Sequence, residues 1–202
     1  MRHKSTNEVR ELNVCRLFIA VAVPDGIKQR LRTAQEELKE ILPPGATACT
    51  KWDNLHFTLR FLGAVEGSRL TGLSGQLRQA LAGCGELNLI CERLGCFPDL
   101  RFPRVVWAWI HDADERLGSL CRNIEASVNG FTNQPPESRF VGHVTIARLK
   151  QIKRAEAERL AGFVERATTT QFGVWRCACV ELIQSELSPH GSRYTTLDVF
   201  PL

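Results

Sequence analysis

Two tripeptides of one form, His56-Phe57-Thr58 and His143-Val144-Thr145, hold the side chains of this sequence best suited to moving protons. Each lies in a run where polar and apolar residues alternate, Leu55-His-Phe-Thr-Leu59 and His143-Val-Thr-Ile-Ala147. Period-two alternation marks a half-buried strand. His and Thr then share one face, while Phe57 or Val144 enters a core. Imidazole titrates near neutrality, so one ring can be neutral while another is protonated at the same pH. Such a pair supplies a general base and a general acid for displacement at phosphorus, with no metal required. A hydroxyl two residues along can donate to a phosphoryl oxygen. Two hydroxyls and a cation would hold the charge that gathers on the non-bridging oxygens. A single His-x-Thr is usually a polar cross-strand pair, but two on separate strands point to one joint site.

The remaining histidines lack that context. His3 falls in the polar first segment, His111 at a strand end, and His190 in Ser188-Pro-His-Gly191, a turn by composition. No Gly-x-Ser-x-Gly elbow suggests a serine nucleophile. The 8 cysteines include no Cys-x-x-Cys pair, and the closest spacings are Cys177-x-Cys179 and Cys91 to Cys96. Paired zinc ligands are therefore not expected. Free thiols in a reducing, cytoplasmic setting are the expectation.

The elements that must position the two motifs can be read from periodicity. A strand over Cys15–Val23 ends at Pro24-Asp25, and Ile27, Leu31, Ala34, Leu38 and Ile41 then recur at helical spacing until Pro43-Pro44-Gly45. The first His-x-Thr strand runs to Gly63. Leu70, Leu73, Leu77 and Leu81 mark a second helix, succeeded by strands near Leu87–Cys96 and Arg104–Ile110. Asp112 or Asp114 can cap a helix carrying Leu117, Leu120, Ile124 and Val128. The second His-x-Thr strand, a helix near Lys153–Arg166 and strands near Trp175–Leu187 and Tyr194–Phe200 complete the chain. His56 and His143 stand almost as far apart as Pro24 and Asp112 do. The order helix, His-x-Thr strand, helix, strand, strand thus repeats, over about 24–110 and 112–200. Two such halves packed about a pseudo-twofold axis would place the equivalent strands face to face across a cleft. Antiparallel pairing of neighbouring strands makes the class α+β, with two pseudo-symmetric lobes, helices outside and a central cleft.

At 202 residues and 44% hydrophobic, the chain suits one bilobal domain over 14–202. Met1 to Asn13 are polar and mixed in charge, and read as a disordered tail without a secretory core. No apolar stretch approaches the roughly 20 residues that span a bilayer. A net charge of +4 is compatible with an anionic ligand but is not the dense basic coat of a nucleic-acid-packaging protein.

Five segments in order carry a family resemblance: Arg16-Leu-Phe-Ile-Ala20; Asn54-Leu-His-Phe-Thr-Leu-Arg-Phe-Leu-Gly63; Arg104-Val-Val-Trp107; Gly142-His-Val-Thr-Ile-Ala-Arg148; and Gln184-Ser-Glu-Leu-Ser-Pro-His-Gly-Ser-Arg-Tyr194. Through them the chain resembles the 2H phosphoesterases, most closely the bacterial and archaeal RNA 2′,3′-cyclic phosphodiesterases once called 2′-5′ RNA ligases. The resemblance spans about residues 15–200. It implies both histidines in a central cleft, and hydrolysis of a terminal 2′,3′-cyclic phosphate to a 2′-phosphate with neither metal nor cofactor. It makes His56 the acid that protonates the departing 3′ oxygen and His143 the base that activates water. Thr58 and Thr145 would hold the phosphoryl oxygens, Arg148 would assist them, and Phe61 would contact the nucleoside.

Strand parity alone puts Arg148 on the face away from His143 and Thr145, unless the strand ends or bulges first. An ordinary surface arginine is the alternative there, and core packing is the alternative for Phe61. Many relatives carry proline where this chain has Gly142. Arg193 and Tyr194 lie in the matched closing hairpin. RNA ends or small cyclic nucleotides are the partners implied, with a monomer and no membrane. Two other activities stay open, a nucleotide- or RNA-binding module with little turnover, and RNA end-joining through a 2′-5′ linkage by the reverse reaction.

Overall fold

A computed structural model describes residues 14–136, 140–189 and 191–202. The expected tail over 1–13, with His3, and His190 lie outside the described residues. Among the described residues the strands are β1 (Val14–Ala22), β2 (Thr47–Cys49), β3 (His56–Glu66), β4 (Leu87–Phe97), β5 (Val105–Asp112), β6 (His143–Leu149), β7 (Gln171–Cys177), β8 (Cys179–Ser188) and β9 (Gly191–Pro201). The α-helices are α1 (Asp25–Ile41), α2 (Leu70–Leu81), α3 (Leu117–Val128) and α4 (Arg154–Arg166).

One antiparallel sheet runs in the order β7-β4-β5-β6-β3-β1-β8-β9, and β2 adds to β6. This is the expected α+β class, with the sheet curled into a half-barrel and the helices on its outer side. The two His-x-Thr strands sit at its centre as direct neighbours. They do not face each other across a gap; Phe57 pairs with Val144 in the ladder. The lobes on either side interleave the chain. β4 and β5, from the first repeat, extend the sheet beyond β6, and β8 and β9, from the second, extend it beyond β1. The connections account for this interleaving: two strands that pair as a hairpin, such as β4 and β5, must stay together wherever the midpoint of the chain falls.

α1, α2 and α3 bury the stripes their spacing predicts except at one end residue each of α1 and α2, where Ile41 and Leu70 are half-buried. Ile27, Leu31, Ala34 and Leu38 of α1 are buried, as are Leu73, Leu77 and Leu81 of α2 and Leu117, Leu120, Ile124 and Val128 of α3. α1 and α4 back the β4–β7 lobe, and α2 and α3 back the other. Neither aspartate is the N-cap residue of α3, which is Arg116, but Asp112 reaches the first N–H groups of the helix from the preceding turn. Its carboxylate accepts from the backbone N–H of Arg116 at 2.5 Å and of Leu117 at 3.1 Å. Asp114 instead accepts from Asn88 Nδ2 at 3.1 Å.

Two features escape periodicity. β2 is too short to show alternation. The single strand read over Trp175–Leu187 is two, because β7 pairs with β4 while β8 pairs with β1. Between them, at Ala178, the chain crosses from one lobe to the other.

Candidate active site

The Phe57–Val144 pairing determines everything around it. Both side chains are fully buried on the helix side. The antiparallel register then sets His56 opposite Thr145 and Thr58 opposite His143, all four on the concave face. The two rings lie near enough on that face for His143 to act electrostatically on His56.

The rings are held alike. His56 Nδ1 donates to the Asn54 carbonyl at 2.6 Å, and His143 Nδ1 donates to the Val141 carbonyl at 2.7 Å. A carbonyl only accepts, so each neutral ring carries its proton on Nδ1 and presents Nε2 as a bare acceptor. Neither Nε2 atom, nor the hydroxyl of Thr58 or Thr145, has a partner among the described residues. Aromatic walls differ between the two. Phe18 lies 4.8 Å from the His56 ring and Tyr194 meets it edge-on at 5.2 Å. Phe97 meets His143 edge-on at 5.0 Å, with Trp107 at 6.3 Å. Burial in that apolar wall lowers the His56 pKa from 6.5 to about 4. The Asn54 carbonyl opposes the shift and the nearby His143 adds to it.

The fifth residue after each histidine reaches the same face through a bulge. In β3, Ile19 pairs with Arg60 but Ala20 with Thr58, so Leu59 is one residue too many. In β6, Val106 pairs with Ala147 but Trp107 with Thr145, so Ile146 is the extra residue. An added residue reverses the parity of the remainder of the strand. Leu59 and Arg60 are consecutively buried, as are Ile146 and Ala147, and the next residues, Phe61 and Arg148, are exposed. Simple alternation would turn Arg148 away; the bulge turns it toward Thr145. Phe61 is likewise out of the core, 6.0 Å from the Phe18 ring. Gln35, buried on α1, braces the second bulge. Its Nε2 donates to the carbonyls of Ile146 at 2.7 Å and Thr50 at 2.9 Å. Arg60 braces the first from the core side, paired with Glu125 at 2.6 Å and donating to the Gln134 carbonyl at 2.7 Å.

Gly142 allows β5 its close approach to His143. A Cβ at that position would lie 2.3 Å from the Ile110 carbonyl oxygen, and Ile110 N–H donates to the Gly142 carbonyl at 2.8 Å.

Sequence reasoning does not find several side chains of this face. His111 is stacked on Trp109 at 4.3 Å and 18°, and the Arg93 guanidinium lies 4.9 Å from the Trp109 ring. Trp109 pairs directly with His143. The alternation Val105, Trp107, Trp109, His111 is the signal available, because it places all four on one side of β5. Among the described residues no three His, Cys, Asp or Glu side chains are grouped to hold a metal ion.

Comparison with known proteins adds the lineage. A model of LigT-like phosphoesterases matches residues 21–107, which contain the first His-x-Thr. An RNA 2′,3′-cyclic phosphodiesterase of Methanothermobacter thermautotrophicus is 31% identical over 93% of this chain and 98% of its own. The chain belongs to the LigT-like 2H phosphoesterases. A second relative of this family, the RNA 2′,3′-cyclic phosphodiesterase of Archaeoglobus fulgidus, is 30% identical over 92% of this chain and 99% of its own. The fold of the LigT-like family is matched by a crystal structure from Thermus thermophilus, with a TM-score of 0.76 and 26% identity over 93% of this chain and 97% of that one. It is matched too by Escherichia coli LigT complexed with 3′-AMP, with a TM-score of 0.72 and 23% identity over 94% and 98%. No helix among the described residues is long and apolar enough to cross a membrane.

Proposed function

We propose that this LigT-like phosphoesterase is a cyclic phosphodiesterase that opens the terminal 2′,3′-cyclic phosphate of RNA to a 2′-phosphate, using two histidines and no metal. The names of its relatives support the activity and the RNA substrate. The mechanism rests on one observation: two imidazoles on adjacent strands, both tied back through Nδ1, with both Nε2 atoms and both threonine hydroxyls unpartnered on one face among the described residues.

The His143 Nε2 takes a proton from water as the oxygen attacks phosphorus. The bond from phosphorus to the 3′ oxygen breaks, and the protonated His56 Nε2 gives that oxygen its proton. Thr58, Thr145 and Arg148 hold the non-bridging oxygens as charge builds on them. His56 enters the cycle neutral at pH 7, since its pKa lies near 4. An anionic phosphate beside the ring favours the imidazolium, so substrate binding itself arms the acid. Phe61 stacks on the terminal base.

A binding module would need no pair of unpartnered ring nitrogens. Joining ends through a 2′-5′ linkage would be the same ring opening with a 5′-hydroxyl attacking phosphorus in place of water, and water at its bulk concentration favours hydrolysis. The test is an RNA oligomer ending in a 2′,3′-cyclic phosphate, incubated in excess EDTA with wild type, His56→Ala and His143→Ala. Conversion to a 2′-phosphate by wild type alone is expected. No conversion by folded wild type that still binds the oligomer would replace this reading with the binding module.

A further inference from the structure

A cavity of about 1030 Å³ lies apart from the His-x-Thr patch. It opens at the end of the sheet, between the β4–β5 connection, the turn that leads from β6 and the first turns of α4 on the outer side. Its floor is apolar, with Leu149, Ile152 and Ala157, the exposed Leu100 and Phe102 also line it, and its cations are Arg101, Arg104, Lys150, Lys153 and Arg154. Glu158 is the one carboxylate among the described lining residues, and it is paired with Arg154 at 2.9 Å. The other four cations have no ion-pair partner among the described residues. Phe102 is 75% exposed, an unusual state for a phenyl ring beside four unpaired cations. Asp99 does not neutralise the rim. Its carboxylate accepts from the backbone N–H groups of Arg101 and Phe102, at 2.8 and 2.9 Å, and so shapes the loop that presents them.

The cavity is joined to the catalytic patch by covalent continuity on both sides. The β4–β5 connection leaves from Phe97, which touches His143, and returns at Val105, which pairs with Arg148. On β6, Leu149 N–H donates to the Arg104 carbonyl at 2.8 Å, and Lys150 comes next. From Thr145 to Lys150 is five residues of extended chain, about 16 Å. Unpaired cations around an apolar floor with a free aromatic ring are the features that track single-stranded nucleic acid, with phosphates on the rim and bases stacked within.

We infer that this cavity is the seat of the RNA body, holding the nucleotides that precede the terminal cyclic phosphate. The inference rests on the phosphodiesterase reading of the His-x-Thr site. It makes the enzyme length-sensitive: a mononucleotide 2′,3′-cyclic phosphate occupies only the quartet, whereas an oligomer occupies the cavity as well.

Arg101→Glu/Lys150→Glu/Lys153→Glu and, separately, Phe102→Ala test this. Both are surface changes, and thermal melting at the wild-type temperature verifies the fold. Against a mononucleotide 2′,3′-cyclic phosphate, each variant keeps kcat/KM within about twofold of wild type. Against a single-stranded oligomer with the same 3′ end, the triple variant loses at least roughly tenfold through KM. Its dependence of log KM on log salt becomes shallower by about 2, from three lost phosphate contacts at about 0.7 each. Equal losses on both substrates, or none on either, overturn the inference. If wild type turns over neither substrate, the function proposed above fails while the cavity remains testable. Fluorescence anisotropy with a 3′-phosphorylated oligomer then decides, since binding that the triple variant matches overturns it. A polyglutamate peptide that binds as tightly as RNA through the same residues would assign the cavity to an acidic protein instead.

Discussion

The two His-x-Thr strands share a backbone and differ in what the backbone carries. In both, Nδ1 is tied to the carbonyl two residues upstream. In both, a bulge after the threonine reverses parity so that the fifth residue after the histidine faces the site. That fifth residue is an aromatic ring on β3, Phe61, and a cation on β6, Arg148. His56 is walled by Phe18 and Tyr194, and burial there lowers its pKa to about 4. Beyond His143 lie Trp109 and the basic cavity. In the proposed reaction, one scaffold drawn twice would supply a base-stacking end at Phe61 and a phosphate-holding end at Arg148, with the two rings at the seam. Near-symmetry places the rings; the surroundings that differ are what the proposal uses to give them separate tasks.

The largest expected effect breaks the seam itself. His56→Ala and His143→Ala should each lower kcat by about 10²–10⁴-fold. The double variant should be no worse than the poorer single one, because groups acting as a unit are not additive. Steady-state kinetics on a cyclic-phosphate oligomer measures this; additive losses would mean the rings act separately.

Next come the fifth residues. Arg148→Ala should cost about 100-fold in kcat, the scale of removing a donor from developing charge. Phe61→Ala should raise KM about tenfold with kcat nearly kept, the scale of one stacked base. Identical effects on the two constants would erase the division between the ends.

Gln35→Leu sharpens the role of the bulge. Leaving the Thr50 carbonyl without its side-chain donor, and the Ile146 carbonyl with one donor fewer, should cost about 1–3 kcal/mol in urea unfolding. Because Gln35 contacts no substrate, any fall in kcat must come through Arg148, and it should vanish in an Arg148→Ala background.

The smallest effect is a pH dependence of stability confined to β3. The folded pKa of His56, about 4, lies below its unfolded value of 6.5. The unfolded chain therefore binds more protons between those values. This contribution is complete above pH 6.5 and is lost as pH falls toward 4. Between pH 7 and 4.5, wild type should lose roughly 2 kcal/mol more than His56→Asn. Parallel curves would show that burial does not hold the ring neutral.

Much is legible in the sequence because it is local. The stripes of α1, α2 and α3 come from spacing, and the burial of Phe57 and Val144 comes from alternation. The chemical types of the quartet stand in the sequence itself. Arg148 shows where local reading stops. Alternation turns it away from the site, and only a bulge at Ile146, braced by a glutamine 111 residues earlier in the chain, turns it back. His111 is different: alternation along β5 sets it beside Trp109, and only the pairing of Trp109 with His143 on β6 brings that stack to the site.

The sequence by itself determined which residues can transfer a proton, which faces are apolar and that the motif recurs. The tertiary structure decided that the recurring strands are neighbours in one sheet, that each fifth residue joins them, and that a basic cavity lies beyond Arg148. The physical reason is range. Side-chain period and helix spacing act over a few residues, whereas sheet register, bulges and cavities are set by contacts between segments far apart in the chain.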